Sequence, residues 1–495
     1  MSSIYALPRA VATVANMYSF TDSSSLIAPQ SGILLGKHAS TWVWSGSQRS
    51  ALVLGPTRSG KTTSIIIPNI FCAPGPVVAT STKQDVMDAT ATARQRSGHC
   101  IVFDPFHSVS PATSVERVGW SPLHASSTWD GALAMARSMV RSSQQRSQSD
   151  SGGMDHWSER SSALLACLLF SARRGDEPMA SVLNWTDRHH AEPAFENLIT
   201  QVGDVHPSVA LLEGILSTEA KERSAIFSTT SGVLGAYRSE SVLRSTEGSL
   251  IDPQSFVEGP NTLYICAPAS QQQLIAPIVV GLLTDIQHAA YRRPREAPPT
   301  LFALDELANI APLPDLPQLV SEGAGQGVLT IGCLQDLSQA RARWGREADG
   351  LLSLFSTTLV LPGIADMNTL RSLHSLAGRS VALQSSESLS FDRKGRASKS
   401  KSVTESRQPR LDIDQIAQGR QGSGLLVDDR KQLGWIELTA SYRDAPWRDL
   451  LADRSRQGVG HQGFDRLLSD PQRDHDEVVH DPRTRRAGGS PERAR

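Results

Sequence analysis

The sequence predicts an α/β protein with a mostly parallel sheet and an inserted all-α domain. Three observations lead to this class: nearly continuous short runs of Val, Ile and Leu, helical periodicity between several of them, and a long central stretch without such runs. Continuous runs are typical of parallel strands buried on both faces, and helices provide the crossovers between such strands. The predicted strands are Ala51–Leu54, Val77–Ala79, Ile101–Phe103, Thr262–Ile265, Leu301–Leu304, Val328–Cys333 and Thr358–Leu361.

The central stretch has the period of helices, since Trp129, Leu133, Ala136 and Val140 fall on one helical face. A serine-rich, basic stretch at about 385–410 is predicted to be a disordered loop, and the Arg-, Asp- and Gly-rich end of the chain a disordered tail. The predicted parts are an N-terminal extension (1–24), the first half of the α/β domain (25–122), the all-α domain (123–236), the second half of the α/β domain (237–450) and the tail (451–495).

Composition excludes several functional classes. The chain has 495 residues with 49 Lys and Arg against 50 Asp and Glu, so a uniformly basic coat for nucleic acid is excluded, although local basic patches are not. The five cysteines form no C-x-x-C pair, which argues against a zinc site or a disulfide scaffold and for a reducing compartment. Without a signal peptide or a sufficiently long apolar run, we expect a cytoplasmic protein that reaches the inner face of the plasma membrane only through a partner.

A phosphate-binding loop follows the first predicted strand. The segment Gly55–Thr62 matches G-x-x-x-x-G-K-[ST] at every fixed position, between a buried strand and a segment that can begin a helix. Glycines allow successive N–H groups to point at one phosphate, and the helix dipole adds positive potential. Lys61 is expected to reach the β- and γ-phosphates of ATP, and Thr62 to bind Mg²⁺. The expected nucleotide-binding residues are Gly55, Pro56, Thr57, Arg58, Ser59, Gly60, Lys61, Thr62 and Thr63.

Two further strands end in residues that nucleotide hydrolysis needs. Leu301–Leu304 is followed by Asp305 and Glu306; we expect Asp305 to hold the metal and Glu306 to activate the attacking water. Two acids after a strand also cap helices, but that reading is disfavoured beside a phosphate loop. Gln335 follows the next predicted strand and is expected to sense the γ-phosphate. The predicted catalytic residues are therefore Lys61, Asp305, Glu306 and Gln335, with Thr62 and Asp305 as metal ligands.

These motifs, in this order, resemble the type IV coupling proteins (TraG/TraD-like), which belong to the additional-strand, catalytic-Glu class of ring ATPases. The resemblance runs from about Ser31 to Leu438 and includes Val102-Phe103-Asp104-Pro105, Trp120-Ser121-Pro122-Leu123, Leu304-Asp305-Glu306-Leu307-Ala308 and Leu334-Gln335-Asp336-Leu337-Ser338-Gln339. It implies a RecA-like P-loop NTPase domain with an inserted all-α domain, and assembly into a hexamer. It further implies ATP-driven movement of DNA, or delivery of a DNA–relaxase complex to a membrane secretion channel.

The implied cofactors are ATP and Mg²⁺. The implied partners are DNA, relaxase or relaxosome proteins and membrane-embedded channel components. Single-stranded DNA is the favoured form, although the residues do not decide between single and double strands. Two alternatives remain open: an ATPase that secretes protein without moving DNA, and a nucleotide-binding ring that serves only as a scaffold.

Three features depart from the family pattern. We expect no transmembrane region of the usual kind before the nucleotide core, since few residues precede it, and Ser81-Thr82-Lys83 stands where relatives commonly have D-x-K. The segment before the sensor strand lacks the arginine that some relatives supply to a neighbouring subunit. Arg341, Arg343 and Arg346 are candidate substitutes, although solvated helix charges are the favoured interpretation. The basic stretch Phe391–Arg410 is equally compatible with a channel-lining DNA contact and with a solvated loop.

Overall fold

The computed structural model describes residues 32–39, 41–143, 151–391, 397–428 and 433–456. In these residues the strands are β1 (Leu34–His38), β2 (Thr41–Trp44), β3 (Ala51–Leu54), β4 (Val77–Ser81), β5 (Cys100–Phe103), β6 (Glu116–Arg117), β7 (Thr262–Cys266), β8 (Thr300–Leu304), β9 (Val328–Leu334), β10 (Thr357–Val360), β11 (Arg379–Phe391), β12 (Ala397–Pro409), β13 (Ser423–Val427) and β14 (Leu433–Glu437).

The helices in the same residues are α1 (Ile67–Cys72), α2 (Asp85–Arg94), α3 (Trp129–Ser143), α4 (Ser151–Arg174), α5 (Met179–Asp187), α6 (Glu192–Val202), α7 (Pro207–Leu216), α8 (Ala220–Val233), α9 (Glu240–Arg244), α10 (Pro253–Glu258), α11 (Gln272–Tyr291), α12 (Leu316–Glu322), α13 (Leu337–Trp344), α14 (Leu351–Leu354), α15 (Met367–Ala377), α16 (Ile413–Gln418) and α17 (Trp447–Arg456). A widened helical turn, Thr62–Ile66, precedes α1.

One large sheet organises the fold. Its strand order is β2-β1-β14-β13-β10-β3-β9-β8-β4-β7-β5-β6, and the strands from β10 to β6 are mutually parallel. All seven predicted strands are present in this parallel part, so the predicted fold class is confirmed. Side chains alternate between two buried layers: Leu52 and Leu54 enter one core, and Ala51 and Val53 enter the other. Burial on both faces explains the continuous apolar runs.

In its described residues, the region predicted to be an all-α insertion (123–236) contains helices α3 to α8 and no strand, and it lies between β6 and β7. The long helix α4 lies at its centre, against α3, α6, α7 and α8. Helix α11 of the α/β domain packs on α3, and the Trp120 indole donates to the Asp285 carboxylate at 3.1 Å where the two regions meet. Helices α9 and α10 lie beyond residue 236, so the predicted domain boundaries stay a prediction.

The predicted disordered loop at 385–410 is wrong for its described residues. Strands β11 and β12 form a separate antiparallel hairpin, in register from Arg379 opposite Pro409 to Phe391 opposite Ala397. Val381 and Val403 on this hairpin are 60% and 59% exposed. Cross-strand hydrogen bonds hold the ladder, and its sequence lacks the apolar pattern by which buried strands are recognised.

The predicted disordered tail is wrong at its start. Helix α17 runs into it as far as Arg456, because Trp447 is buried against Trp42 and Phe71. Leu451 is buried as well. The remainder of the tail and the predicted N-terminal extension lie outside the described residues.

One described helix, α11, is long and apolar enough to cross a membrane, but 72% of its most apolar window is buried inside the fold.

Candidate nucleotide-binding site

The phosphate loop leaves β3 at the carboxyl edge of the sheet. The Gly55 N–H donates to the Leu334 carbonyl at 3.1 Å, which extends the pairing of β3 with β9 into the loop. A Cβ at Gly55 would lie 2.7 Å from Ser59 Oγ and 2.9 Å from Leu361 Cβ, so only glycine fits. Gly60 has φ +94°, a conformation that L side chains rarely adopt. These two positions explain the fixed glycines of the motif.

Lys61 folds back over this loop. Its ammonium donates to the carbonyls of Gly55 at 2.6 Å and Pro56 at 2.9 Å. Those contacts close the loop and hold the positive charge at the point where the motif requires it for phosphate oxygens.

The acidic strand end meets the phosphate loop. The Thr62 hydroxyl donates to Asp305 Oδ2 at 2.7 Å, across 243 residues of sequence. Asp305 follows β8, which is separated from β3 by β9 alone, so the three strands bring their ends to one place. Asp305 Oδ1 is buried and has no hydrogen-bond partner in the described residues. A hydroxyl beside an unsatisfied carboxylate oxygen is a donor set that Mg²⁺ prefers, so these residues fit the metal.

Electrostatics at the two acids also favour a cation. Burial raises the pKa of Asp305 to about 6, against the lowering effect of the Thr62 hydrogen bond and the Lys61 charge. Burial likewise raises the pKa of Glu306, while Lys61 and a 3.3 Å hydrogen bond from Asn309 oppose it. A divalent cation beside these groups would favour their charged forms.

Gln335 lies between the loop and the acids. It follows β9, whose last residue, Leu334, is paired with Leu54 at the end of β3. The Gln335 N–H donates to Gln339 Oε1 at 2.8 Å, which fixes the backbone where the side chain begins. The structure therefore brings Lys61, Thr62, Asp305, Glu306 and Gln335 to one edge of the sheet, and their individual roles stay predictions.

The other predicted loop residues lie around the same turn. Arg58 is left-handed at φ +63°, and the Thr63 hydroxyl donates to the Gly60 carbonyl at 3.4 Å. The Ser59 hydroxyl is buried and has no hydrogen-bond partner in the described part of the chain. A hydroxyl at this point of the loop can donate to a phosphate oxygen.

The three arginines considered as substitutes for a trans arginine differ in their contacts. Arg341 pairs with Asp366 at 2.8 Å, and Arg343 donates to the Ala308 carbonyl at 3.0 Å. Arg346 is exposed, and the described residues include no partner for it. Two of the three are therefore engaged within their own chain.

Sequence reasoning missed one contact at the site. The Ser441 N–H donates to the Thr63 carbonyl at 2.9 Å, which joins the segment after β14 to the first turn of the loop helix. No sequence motif marks Ser441, so only the folded chain reveals this contact.

Known proteins that are similar to this chain point to the same fold. The family profile described as type IV secretory system conjugative DNA transfer matches residues 13–428, which is most of the chain. The chain belongs to this family. Among curated relatives, this family member is 23% identical to the conjugal transfer protein TraG of Escherichia coli over 320 residues, or 59% of this chain and 49% of TraG. It thus spans about half the length of the TraG relatives it matches.

A shorter match is 35% identical over 69 residues to the protein VirD4 of Rhizobium radiobacter, covering 14% of this chain and 10% of VirD4. Among solved structures, the unbound bacterial conjugative coupling protein TrwBdeltaN70 matches this family member with a TM-score of 0.63 and 16% identity, over 85% of this chain and 92% of that chain. TrwB in complex with ADP and Mg²⁺ matches with a TM-score of 0.59 and 16% identity, over 79% and 86% of the two chains. This family member therefore has the RecA-like fold that its sequence predicts.

Proposed function

We propose that this chain is an ATP-hydrolysing coupling protein that recruits or translocates DNA, or a DNA–relaxase complex, to a type IV secretion channel. The observation that carries the proposal is the 2.7 Å hydrogen bond between Thr62 and Asp305. It joins the phosphate loop to the acidic strand end, which is the arrangement that a nucleotide with its metal needs. TrwB has been solved with ADP and Mg²⁺ and with a non-hydrolysable ATP analogue, which supports nucleotide as the ligand here.

In this proposal each residue of the site has one task. The loop N–H groups and the Lys61 ammonium bind the phosphates, and Thr62 and Asp305 hold Mg²⁺, which when bound neutralises charge on the β- and γ-phosphates. Glu306 orients the attacking water and accepts its proton as the bond from the γ-phosphorus to the ADP oxygen breaks. The raised pKa of Glu306 brings it nearer to that of a general base working close to neutral pH. Gln335 contacts the γ-phosphate or the water.

Family membership and local charge support DNA as the cargo. The overall charge of −1 gives no general attraction to nucleic acid. The hairpin of β11 and β12, however, exposes Arg379, Lys401 and Arg407, and cations of this kind bind a phosphate backbone without reading its sequence. We propose single-stranded DNA as the form bound, with relaxosome proteins and channel components as partners. Assembly into a hexamer and a position at the inner face of the plasma membrane belong to the same proposal.

The test is the rate of ATP hydrolysis with and without DNA, at low salt, using single- and double-stranded DNA of equal length. We expect turnover to rise with single-stranded DNA. Lys61→Ala should be inactive under every condition and serves as the background control. Turnover that stays flat with both forms of DNA would contradict the DNA proposal.

Two other results would favour the alternatives. Flat turnover with DNA, together with stimulation by a purified relaxase free of DNA, would favour a protein-secretion ATPase. No turnover from a chain that still binds ATP would favour a scaffold that uses nucleotide only to assemble.

A further inference from the structure

The first turn of the phosphate-loop helix contains a carbonyl that the helix itself does not satisfy. In the widened turn Thr62–Ile66, the Ile67 N–H donates to the Thr62 carbonyl and is lost to the Thr63 carbonyl. The next residue, Pro68, has no N–H. The Thr63 carbonyl therefore lacks a donor from the helix residues that follow it, and it needs a partner from outside the helix.

That partner comes from the segment after β14. The Ser441 N–H donates to the Thr63 carbonyl at 2.9 Å, and Ser441 is fully buried, so water does not compete for this bond. The preceding residue, Thr62, donates through its hydroxyl to Asp305 Oδ2 at 2.7 Å. Two hydrogen bonds and the peptide unit between them therefore connect Ser441 with the carboxylate that is proposed to hold the metal.

The residues after Ser441 pack along the same helix. Leu451 is buried against Ile67 and against Ala89 of α2, and Tyr442 lies against this cluster. Ile67 comes directly after the widened turn. The contact is apolar, so the segment is held on the helix by burial as well as by the Ser441 hydrogen bond.

A second apolar contact lies one helical turn further on. The Trp447 ring stacks on the Phe71 ring of α1, with the centroids 6.1 Å apart and the planes 5° apart, and Trp447 is 3% exposed. Thr63, Ile67 and Phe71 are spaced four residues apart, so the contacts follow one stripe of the helix. Residues 441–451, which we call the C-terminal strap, thus lie along three successive turns of the phosphate-loop helix.

We propose that the C-terminal strap is a positioning element of the nucleotide site, which holds the Thr62 hydroxyl in the orientation needed to bind Mg²⁺. The proposal rests on the proposed function, because it assumes that the phosphate loop binds nucleotide with its metal. Docking of the strap and binding of the metal with its nucleotide then stabilise each other, since coupling between two sites is reciprocal. A strap with a merely structural role would contribute to stability and leave the nucleotide affinity of the folded protein unchanged.

The first test measures amide hydrogen exchange in the strap of the wild type, with Mg²⁺ and ADP, with ADP and a chelator, and without ligand. ADP avoids hydrolysis during the measurement. We expect exchange in residues 441–451 to slow at least about threefold when Mg²⁺ and ADP are both present, and to change little with ADP and the chelator. Helix α7 of the all-α region is the internal reference and should exchange at one rate throughout.

The second test is the reciprocal one, titration calorimetry with ADP in the presence of Mg²⁺. Trp447→Ala removes the stacking on Phe71 and should bind ADP about fivefold to tenfold more weakly. Arg448→Ala is the matched control, because Arg448 is the next residue, is exposed and pairs with Asp449 at 3.1 Å; this variant should match the wild type. Thermal unfolding without ligand checks that both variants are folded at the temperature of the titration.

Two variants of Ser441 test the hydrogen bond to Thr63 itself. Ser441→Pro removes the N–H and should weaken binding of ADP with Mg²⁺ by a similar factor. Ser441→Ala keeps the N–H and should lose much less. If Trp447→Ala or Ser441→Pro fails to fold, the exchange measured on the wild type decides.

Each outcome separates this proposal from the proposed function. Strap exchange that is unchanged by Mg²⁺ and ADP overturns the positioning role and leaves the ATPase proposal intact, and so does equal ADP affinity in folded Trp447→Ala and wild type. An equal loss of ADP affinity with Mg²⁺ and with the chelator also overturns it, because the strap would then act on the phosphates and not through Thr62. A wild type that binds no nucleotide under either condition contradicts the proposed function itself.

Discussion

The two ends of the phosphate loop are built in different ways. On the β8 side, the predicted roles of Thr62, Asp305 and Glu306 depend on their side chains; Thr62 begins the loop helix, and Asp305 and Glu306 follow a buried strand directly. On the β10 side, the contacts with the loop and its helix include a backbone N–H at Ser441, the backbone of Gly363 beside Pro56, and the Cβ of Leu361 beside Gly55. The first end is defined by residue type and the second by main-chain position.

This difference explains what each end can tolerate. A carboxylate that holds a metal cannot be exchanged, whereas a backbone donor is available from any residue except proline. Substitutions on the β8 side should therefore change the chemistry, and substitutions on the β10 side should change affinity and stability by smaller amounts.

The largest effect is expected for Lys61→Ala. The ammonium donates to two loop carbonyls, and its loss would remove the proposed charge-assisted contacts to the phosphates. We expect ATP affinity to fall on the order of 100-fold, with no measurable turnover. Equilibrium titration with ATP checks the affinity, and thermal unfolding without ligand checks that the fold is intact. Wild-type affinity in this variant would contradict the assignment of the whole site.

Glu306→Gln should separate chemistry from binding. The amide fills the same space and can keep a contact with Asn309, but it cannot accept the proton of the attacking water. Turnover should fall at least about 100-fold while ATP affinity changes little. Single-turnover hydrolysis and ATP titration on the same preparation measure the two quantities. If turnover persists, the base lies elsewhere and Glu306 is only a neighbour of the metal site.

The acidic residues after β8 and the parallel sheet could be predicted because each has a recognisable pattern within a short stretch of sequence. Seven strands buried on both faces have continuous apolar runs, and the glycines, Lys61 and the acids stand at the spacing of a recognisable motif. The meeting of Thr62 with Asp305 followed from the parallel arrangement alone.

The rest of the fold has no such local signal. The hairpin from Arg379 to Pro409 is held by its own backbone ladder, so its serines and charges resemble those of a loop. Helix α17 is stabilised because Trp447 packs against Trp42 and Phe71, which lie hundreds of residues earlier in the chain. The contact of Ser441 with Thr63 depends on Pro68 and a widened turn, and only the folded chain brings them together.

Asp305→Asn should remove a pH dependence of stability. Burial raises the pKa of Asp305 in the folded protein to about 6, from an ordinary value of 3.8. Between these values the folded state binds more protons than the unfolded state, so the free energy of unfolding falls as pH rises. The wild type should thus lose on the order of 2–3 kcal/mol between about pH 4 and pH 6 relative to Asp305→Asn.

Denaturant unfolding at several pH values, with a chelator present, measures this difference. Comparing the two proteins cancels the groups that titrate in both. Added Mg²⁺ and nucleotide should stabilise the wild type at neutral pH and have little effect on Asp305→Asn, since the amide lacks the charge that the metal needs. Parallel pH curves for the two proteins would mean that Asp305 is ionised in the folded state without a metal.

Gly363→Ala should have the smallest effect and tests the β10 end. Gly363 has φ +98°, and an added Cβ would lie 3.0 Å from Pro56 Cγ, so both the backbone and the contact with the loop are strained. We expect a loss of about 1–2 kcal/mol in the free energy of unfolding. Because the strain falls on Pro56 and not on Asp305 or Glu306, KM for ATP should rise while kcat stays near the wild-type value. Gly325→Ala is the matched control, since a Cβ there meets nothing within 4 Å. A fall in kcat with KM unchanged would instead mean that strain at Pro56 reaches Lys61 and the γ-phosphate, and the two ends of the loop would then not be independent.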